Sequence, residues 1–146
     1  MPYIECTVIV RGDAREAYEM AKKMEDYPQF MENVNSVKII ENGPGYTITD
    51  WDTNVDGKQF KWQEKDTFDD QNLSIKYKQT TGDLKKFEGE WRFEREEGGT
   101  RITLTVDFEM GIPMVSGLLN PILKKKVKTN SEAMLEAIKK LVEKTE

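Results

Sequence analysis

The most restrictive feature of this sequence is a two-residue alternation of apolar and polar side chains that recurs in successive segments between residues 37 and 108. Consecutive strands joined by short turns predict an antiparallel meander. Each segment has one apolar and one polar face, so we expect one side of the sheet to be covered and the other to face water. The turn signals are Asn42-Gly43-Pro44-Gly45, Asp56-Gly57, residues 69–72, Gly82-Asp83 and Gly98-Gly99.

A further alternating segment precedes the meander and brings the expected number of strands to seven. In this first segment Ile4, Cys6, Val8 and Val10 share one face, which is typical of a half-buried strand. The expected strands cover residues 3–10, 37–40, 46–55, 58–68, 73–79, 87–93 and 102–108.

Two short helices are expected between the first strand and the meander. Asp13 is a suitable N-cap for a helix that begins at Ala14 and whose apolar residues recur every three or four positions. Pro28 predicts a break near residues 26–27. A second short helix is then expected to carry Phe30 and Met31.

From about residue 114 the apolar period becomes helical and continues to about residue 144. Pro121 lies inside this run and has no N–H group to donate, so we expect a kink there or a helix that starts afresh. The sequence contains no linker or internal repeat, and we therefore expect residues 1–146 to form a single α+β domain.

The absence of histidine excludes several kinds of active site within this chain. A Ser-His-Asp triad, a Cys-His pair and a His-based metal site are all impossible. The single cysteine, Cys6, cannot form an internal disulfide or a thiolate zinc cluster, and its alternating segment predicts that it fills the core. We therefore expect neither a metal nor a cofactor.

The charge balance bears on possible partners. With 22 basic and 27 acidic side chains the net charge is −5, which disfavours nucleic acid as the main partner. The N-terminal residues lack the pattern of a secretory signal, and no run reaches the roughly 18 apolar residues that a membrane span needs. We therefore expect a cytoplasmic protein without a membrane span; nothing in the sequence specifies an oligomeric state.

A cavity is expected between the sheet and the long helix. A twisted seven-stranded sheet becomes concave, and a helix of about thirty residues spans it without filling it. Sites for small molecules are typically concave and mostly apolar, which makes this space the predicted ligand site. The expected ligand-binding residues are Phe30, Met31, Trp51, Trp62, Glu64, Tyr77, Trp91, Leu118 and Ile122.

Two carboxyl residues share the inward face of the strand that carries Trp62. Glu64 and Asp66 follow Trp62 at intervals of two, and buried carboxylates are costly unless they are paired or wet. In one interpretation this face leaves the core at the strand end, so that both acids are solvated. In the other, Glu64, together with Tyr77, supplies a polar group inside an apolar pocket.

Three stretches of the sequence resemble a known superfamily. The order of strand, two short helices, six strands and long helix is that of the START-like superfamily, also called SRPBCC or helix-grip, and is similar to polyketide cyclases and coenzyme Q-binding START proteins. The stretches are residues 17–30 with Tyr27-Pro28, then residues 87–93 with Gly89-x-Trp91 and the turn at residues 98–101, and residues 108–110. This resemblance covers essentially the whole chain and implies a helix-grip fold with a hydrophobic cavity.

The resemblance implies several alternative functions. The first is binding or carriage of a small hydrophobic molecule such as a lipid, a quinone or a polyketide-like aromatic. The second is a polyketide aromatase/cyclase that confines its substrate in the same cavity, with Glu64 and Tyr77 as candidate proton carriers. Polyketide aromatase/cyclases of this type place an Arg four residues after the Trp of this strand, where this sequence has Asp66, and the departure weakens the second alternative.

The third alternative is a ribosome- or protein-interaction module. Its support is the basic run Lys124-Lys125-Lys126 with Lys128. A short basic run on a helix is more often a solvated face.

Overall fold

A computed structural model of the chain describes residues 3–55, 57–109 and 113–144, with the backbone alone described for residues 113–123. In this described part, seven antiparallel strands form one sheet in the order β1-β7-β6-β5-β4-β3-β2. The strands are β1 (Tyr3–Val10), β2 (Val34–Gly43), β3 (Tyr46–Val55), β4 (Lys58–Asp69), β5 (Ser74–Gly82), β6 (Lys86–Glu96) and β7 (Gly99–Glu109). The expected α+β helix-grip architecture is confirmed.

Two helical segments follow β1. Helix α1 spans Ala14–Lys22 and begins as expected, because the Asp13 carboxylate accepts a hydrogen bond of 3.1 Å from the backbone N–H of Glu16. The predicted second short helix has different bounds: a 3₁₀ helix spans Met24–Gln29 and ends before Phe30 and Met31. Pro28 lacks the N–H that an α-helical ladder would need at this position, and the tighter bonding ends at Phe30.

The chain closes with α2, which spans Pro113–Lys144 and contacts β1 and α1. The helix runs through Pro121, so the expectation that a new helix starts at this proline is wrong. The second half of α2 is anchored by Leu135, Ile138 and Val142, which are buried in the core. Complete burial of an aliphatic side chain stabilises a fold by roughly 1.5–3 kcal/mol, so these residues hold this half of α2 against the sheet.

The strand register sets which side chains meet on the concave face. Trp51 on β3 lies directly opposite Trp62 on β4, and Tyr77 on β5 lies opposite Gly89 on β6. Cys6 is buried as predicted, and burial raises the pKa of its thiol. Among the described helices, none has the length and apolar character needed to cross a membrane.

Candidate ligand cavity between the sheet and the long helix

A cavity lies between the concave face of the sheet and the second half of α2. Its empty volume is about 750 Å³, a figure that includes open space at its mouth. Its walls come from β3 to β7, from the 3₁₀ helix and from α2. The described lining residues are Met24, Trp51, Thr53, Val55, Phe60, Trp62, Glu64, Tyr77, Leu84, Phe87, Trp91, Leu104, Val106, Val127, Asn130, Ser131 and Met134.

The sheet side of the cavity is a wall of aromatic rings. Trp51 and Trp62 stack with their ring centroids 5.4 Å apart and their planes at 8°, because the register of β3 and β4 places them directly opposite one another. Phe87 on β6 packs against Trp62 at 4.9 Å, and Tyr77 lies 5.6 Å from Phe87. These contacts present a broad apolar surface whose rings hold one another in place.

The structure brings together five of the nine residues that the sequence assigned to the site. Trp51, Trp62, Glu64, Tyr77 and Trp91 all line the cavity. Their assignment as ligand-binding residues stays a prediction, since lining a cavity is not yet binding.

Two of the other four predicted residues are not part of the described lining, and two have side chains that fall outside the described residues. Met31 is buried in the core, and Phe30 packs against that core, so neither belongs to the described lining. The side chains of Leu118 and Ile122 lie outside the described residues.

Several lining residues were not singled out from the sequence. Phe60 and Phe87 carry a usable signal, because they alternate in step with Trp62 and Trp91 on their strands. The polar residues Asn130 and Ser131 on α2 carry no such signal, because they interrupt the apolar period of the helix. Asn130 accepts a hydrogen bond from the side-chain amide of Asn33, so one polar side chain of the helix side already has a partner.

Glu64 and Asp66 are both buried, which contradicts the interpretation that they are solvated at a strand end. Glu64 is 3% exposed and Asp66 is 0% exposed. The inward face of β4 stays within the core over this length, because β3 and β5 flank both residues in the sheet. A pair of acids two residues apart therefore lies in the interior, and Glu64 reaches the cavity.

The hydrogen bonds around the two acids come from indole and hydroxyl groups. Trp62 donates from Nε1 to Oε1 of Glu64 at 2.7 Å. Trp51 donates from Nε1 to the hydroxyl of Thr49 at 2.8 Å, and that hydroxyl donates to Oδ2 of Asp66 at 2.6 Å. The second carboxyl oxygen of Asp66, Oδ1, is buried and has no hydrogen-bond partner of standard geometry in the described part of the structure.

The environment raises the pKa of both acids, and that of Glu64 more strongly. Burial, and then the negative charge of Asp66, raise the pKa of Glu64 well above its ordinary value, against the effect of the Trp62 donor. Burial also raises the pKa of Asp66, although bonds from Glu64 and Thr49 oppose that shift. Glu64 is therefore the partner that holds a proton more firmly.

Tyr77 is less suited to proton transfer than the sequence suggested. Its hydroxyl donates a hydrogen bond of 2.6 Å to the backbone carbonyl of Thr105 on β7. Burial, followed by the charge of Glu64, raises the pKa of Tyr77 well above its ordinary value. The hydroxyl proton is thus held inside the sheet rather than offered to the cavity.

The described residues include no group of three or more side chains that could hold a metal ion. What the arrangement offers chemically is an aromatic and aliphatic surface, one carboxyl group that favours its protonated form, and two polar side chains on α2.

Comparison with known proteins places this architecture among cyclases and transport proteins. Residues 10–135 match the family described as "Polyketide cyclase / dehydrase and lipid transport". The chain is 29% identical over 139 residues to the actinorhodin polyketide synthase bifunctional cyclase/dehydratase of Streptomyces coelicolor; the match covers 94% of this chain but 43% of that relative. The chain thus spans less than half the length of that relative.

Two further proteins are similar over most of their length. The ribosome association toxin RatA of Escherichia coli is 30% identical over 112 residues, which are 75% of this chain and 69% of the toxin. The crystal structure of the Zhui aromatase/cyclase from Streptomyces sp. R1128 superposes with a TM-score of 0.88 at 25% identity, covering 97% of this chain and 93% of that one.

Proposed function

Because this chain belongs to the polyketide cyclase/dehydrase and lipid transport family, we propose that it binds or carries a small hydrophobic molecule in the cavity under α2. The ligand class comprises lipids, quinones and polyketide-like aromatics, and residues 1–146 act as one ligand-binding domain. We further propose that the protein works in the cytoplasm, as expected from its sequence.

The observation that carries this proposal is the wall of stacked aromatic rings facing an empty space. Trp62 already packs against both Trp51 and Phe87, yet all three rings also line a cavity that the other described side chains leave unfilled. Protein cores are normally packed to the density of organic crystals, so an unfilled apolar space of this kind is a site for a ligand. An apolar molecule that enters removes its own surface and that of the rings from water.

Native mass spectrometry of the protein purified from its own host tests the proposal. The wild type should carry a bound small molecule, and Val127→Trp should lose it, because Val127 lines the cavity from α2 and a larger ring would occupy the space. Lys125→Trp is the matched control, since Lys125 is exposed two residues away on the same helix. A ligand retained equally by both variants contradicts binding in this cavity.

Cyclase or aromatase chemistry is the second candidate, and one observation favours it. Glu64 lies at the cavity surface with a pKa raised by burial and by Asp66, which is the direction of shift that a carboxyl group needs to act as a general acid or base near neutral pH. The cyclase/dehydratase and aromatase/cyclase relatives agree with such a role. Asp66 stands where the cyclases of this type place a cation, and this departure separates the second candidate from the first.

Product analysis decides between carriage and cyclisation. A poly-β-ketone substrate is offered to the wild type and to Glu64→Gln, which keeps the side-chain shape but cannot transfer a proton. A carrier leaves the distribution of spontaneous cyclisation products unchanged in both proteins. If the wild type directs cyclisation and Glu64→Gln binds the substrate without directing it, the protein is an enzyme.

The similarity to the ribosome association toxin supports the third alternative, a ribosome- or protein-interaction module. Lys124, Lys125, Lys126 and Lys128 are exposed on α2, as the basic run predicted. Co-sedimentation with ribosomes at two salt concentrations tests it, since a contact made by these lysines weakens as salt rises.

A further inference from the structure

The two indoles fix the direction of the hydrogen bonds around the buried acids. An indole N–H only donates, so the Thr49 hydroxyl that accepts from Trp51 must turn its own proton toward Oδ2 of Asp66. For the same reason Oε1 of Glu64 is an acceptor, because Trp62 donates to it. One oxygen of each carboxyl group thus accepts a hydrogen bond, which favours a proton on the other oxygen.

The remaining oxygens, Oε2 of Glu64 and Oδ1 of Asp66, are where a proton can reside. Two neighbouring carboxylates in the interior do not both ionise unless a cation compensates them. Neither Glu64 nor Asp66 has an ion-pair partner among the described residues, and the neighbouring Lys65 on β4 is exposed and lies over the ring of Tyr46 instead. The pair therefore holds at least one proton, and in its singly ionised state it carries one negative charge.

The position of that charge follows from the number of donors around each acid. Among the described residues, Asp66 accepts from the hydroxyls of Thr47 and Thr49 on the same oxygen, whereas Glu64 accepts from Trp62 alone. More donors stabilise the ionised form. The charge therefore resides on Asp66 and the proton on Glu64. Asp66 Oδ1, which has no other partner of standard geometry among the described residues, is the acceptor available to that proton.

We propose that the Glu64–Asp66 pair selects the ligand of this cavity: a hydrophobic molecule with a hydroxyl group that donates a hydrogen bond to the Glu64 carboxyl, and not a carboxylate. The inference rests on the proposed function, because it assumes that the cavity binds a hydrophobic molecule. A carboxylate would bring a second negative charge close to Asp66, and the described lining contains no lysine or arginine to receive it. A ligand hydroxyl group forms a stronger hydrogen bond here, because its acceptor belongs to a negatively charged pair.

Two matched pairs of naphthalenes test the proposal by isothermal titration calorimetry. 2-Naphthol and 2-methylnaphthalene have nearly the same shape and differ in the hydroxyl group. 2-Naphthamide and 2-naphthoate likewise differ mainly in charge. With the wild type we expect 2-naphthol to bind about tenfold more tightly than 2-methylnaphthalene. We expect 2-naphthamide to bind roughly a hundredfold more tightly than 2-naphthoate, because a like charge near Asp66 disfavours the anion.

Three variants assign the two preferences to the two acids. Glu64→Gln imitates the protonated side chain, so both preferences should persist. Glu64→Leu removes the acceptor and should abolish the preference for 2-naphthol. Asp66→Asn removes the charge, and the preference for 2-naphthamide over 2-naphthoate should fall by about tenfold or more.

The outcomes separate this inference from the proposed function. If none of the four compounds binds the wild type, the proposed function and the inference fail together. If they bind but 2-naphthoate equals 2-naphthamide, or 2-naphthol equals 2-methylnaphthalene, the inference fails and the proposed function stands. A loss of anion rejection in Glu64→Gln as large as that in Asp66→Asn would overturn the assignment of the charge to Asp66. The wild-type comparison needs no variant, so a variant that does not fold leaves the test intact.

Discussion

Trp62 and Glu64 are joined inside the cavity by a hydrogen bond of 2.7 Å from the indole Nε1 to the carboxyl Oε1. The two residues are neighbours on the same face of β4, and the ring of Trp62 is held by stacking on Trp51. The donor of Glu64 is therefore placed by aromatic packing rather than by a flexible side chain. This coupling links the shape of the cavity to the protonation of its acid.

Replacing Trp62 by Phe should expose this coupling. Trp62→Phe keeps a ring at the cavity wall but removes the N–H, so Glu64 loses its donor. We expect the free energy of unfolding to fall by about 1–2 kcal/mol, the range for a lost hydrogen bond in the interior. Urea denaturation monitored by circular dichroism measures this change.

Trp91→Phe is the matched control for Trp62→Phe. It replaces another cavity-lining indole by the same smaller ring and leaves the bond from Trp62 to Glu64 in place. If Trp91→Phe lowers the free energy of unfolding as much as Trp62→Phe does, the bond to Glu64 is not what distinguishes Trp62.

Stability should fall as the pH rises above the unfolded-state pKa of glutamate, about 4.3. The folded pKa of Glu64 is raised, so between the two pKa values the folded protein binds more protons than the unfolded chain. While Glu64 stays protonated in the folded state, this effect removes about 1.4 kcal/mol of stability per pH unit. The ionisable groups that face Glu64 are Asp66, Tyr77 and Tyr27.

Glu64→Gln isolates this contribution of Glu64. The variant has no proton to lose at this position, so its stability should depend less steeply on pH, and its stability relative to the wild type should increase with rising pH above about 4.3 for as long as Glu64 stays protonated. Asp66→Asn should also flatten the profile, because the Asp66 charge is one cause of the raised pKa of Glu64. Parallel profiles for the wild type and Glu64→Gln would show that Glu64 is ionised in the folded protein.

Gly89→Ala should be destabilising because there is no room for a methyl group at Gly89, where β6 lies between β5 and β7. A Cβ there would lie 2.0 Å from the Thr105 carbonyl oxygen and 2.6 Å from the Tyr77 hydroxyl, which are themselves hydrogen-bonded. Overpacking of this kind costs typically 1–3 kcal/mol, and the backbone carbonyl cannot swing aside as a side chain would. Thermal unfolding followed by circular dichroism gives the size of the effect.

Gly98→Ala serves as the comparison for Gly89→Ala. Gly98 has open space around a Cβ but a φ of +83°, so the substitution there costs only the backbone strain of about 1 kcal/mol. If Gly89→Ala destabilises the protein no more than Gly98→Ala does, the close approach at Gly89 relaxes at a cost no larger than that of backbone strain alone.

The sheet was predictable because its signals are local. Alternation and turn residues identify each strand, and the N-cap at Asp13 sets the start of α1. The bounds of β2 were predicted too short, because its pairing with β3 extends from Val34 to Gly43 through two irregularities in register. The length of β2 is thus set by its pairing with β3 and not by the side-chain pattern of β2 itself.

The burial of Glu64 and Asp66 was not predictable from periodicity. Alternation places both residues on the inward face, but whether that face is still covered at their position depends on the curvature of the sheet and on the strands beside it. Similarly, Phe30 and Met31 were expected in a helix at the cavity, whereas the 3₁₀ segment ends before them. Where such a short segment ends depends on specific side-chain bonds, such as the one from the Tyr27 hydroxyl to the Ala21 carbonyl, which periodicity does not reveal.

Intermolecular nuclear Overhauser effects between unlabelled 2-naphthol and methyl-labelled protein would show whether the cavity under α2 holds a small hydrophobic molecule. We expect contacts from the ligand to the methyl groups of Leu104, Val106, Val127 and Met134, which line the cavity from β7 and α2. Contacts confined to the exposed Ile39 and Ile40 of β2, or no contacts under saturating ligand, would contradict binding in this cavity.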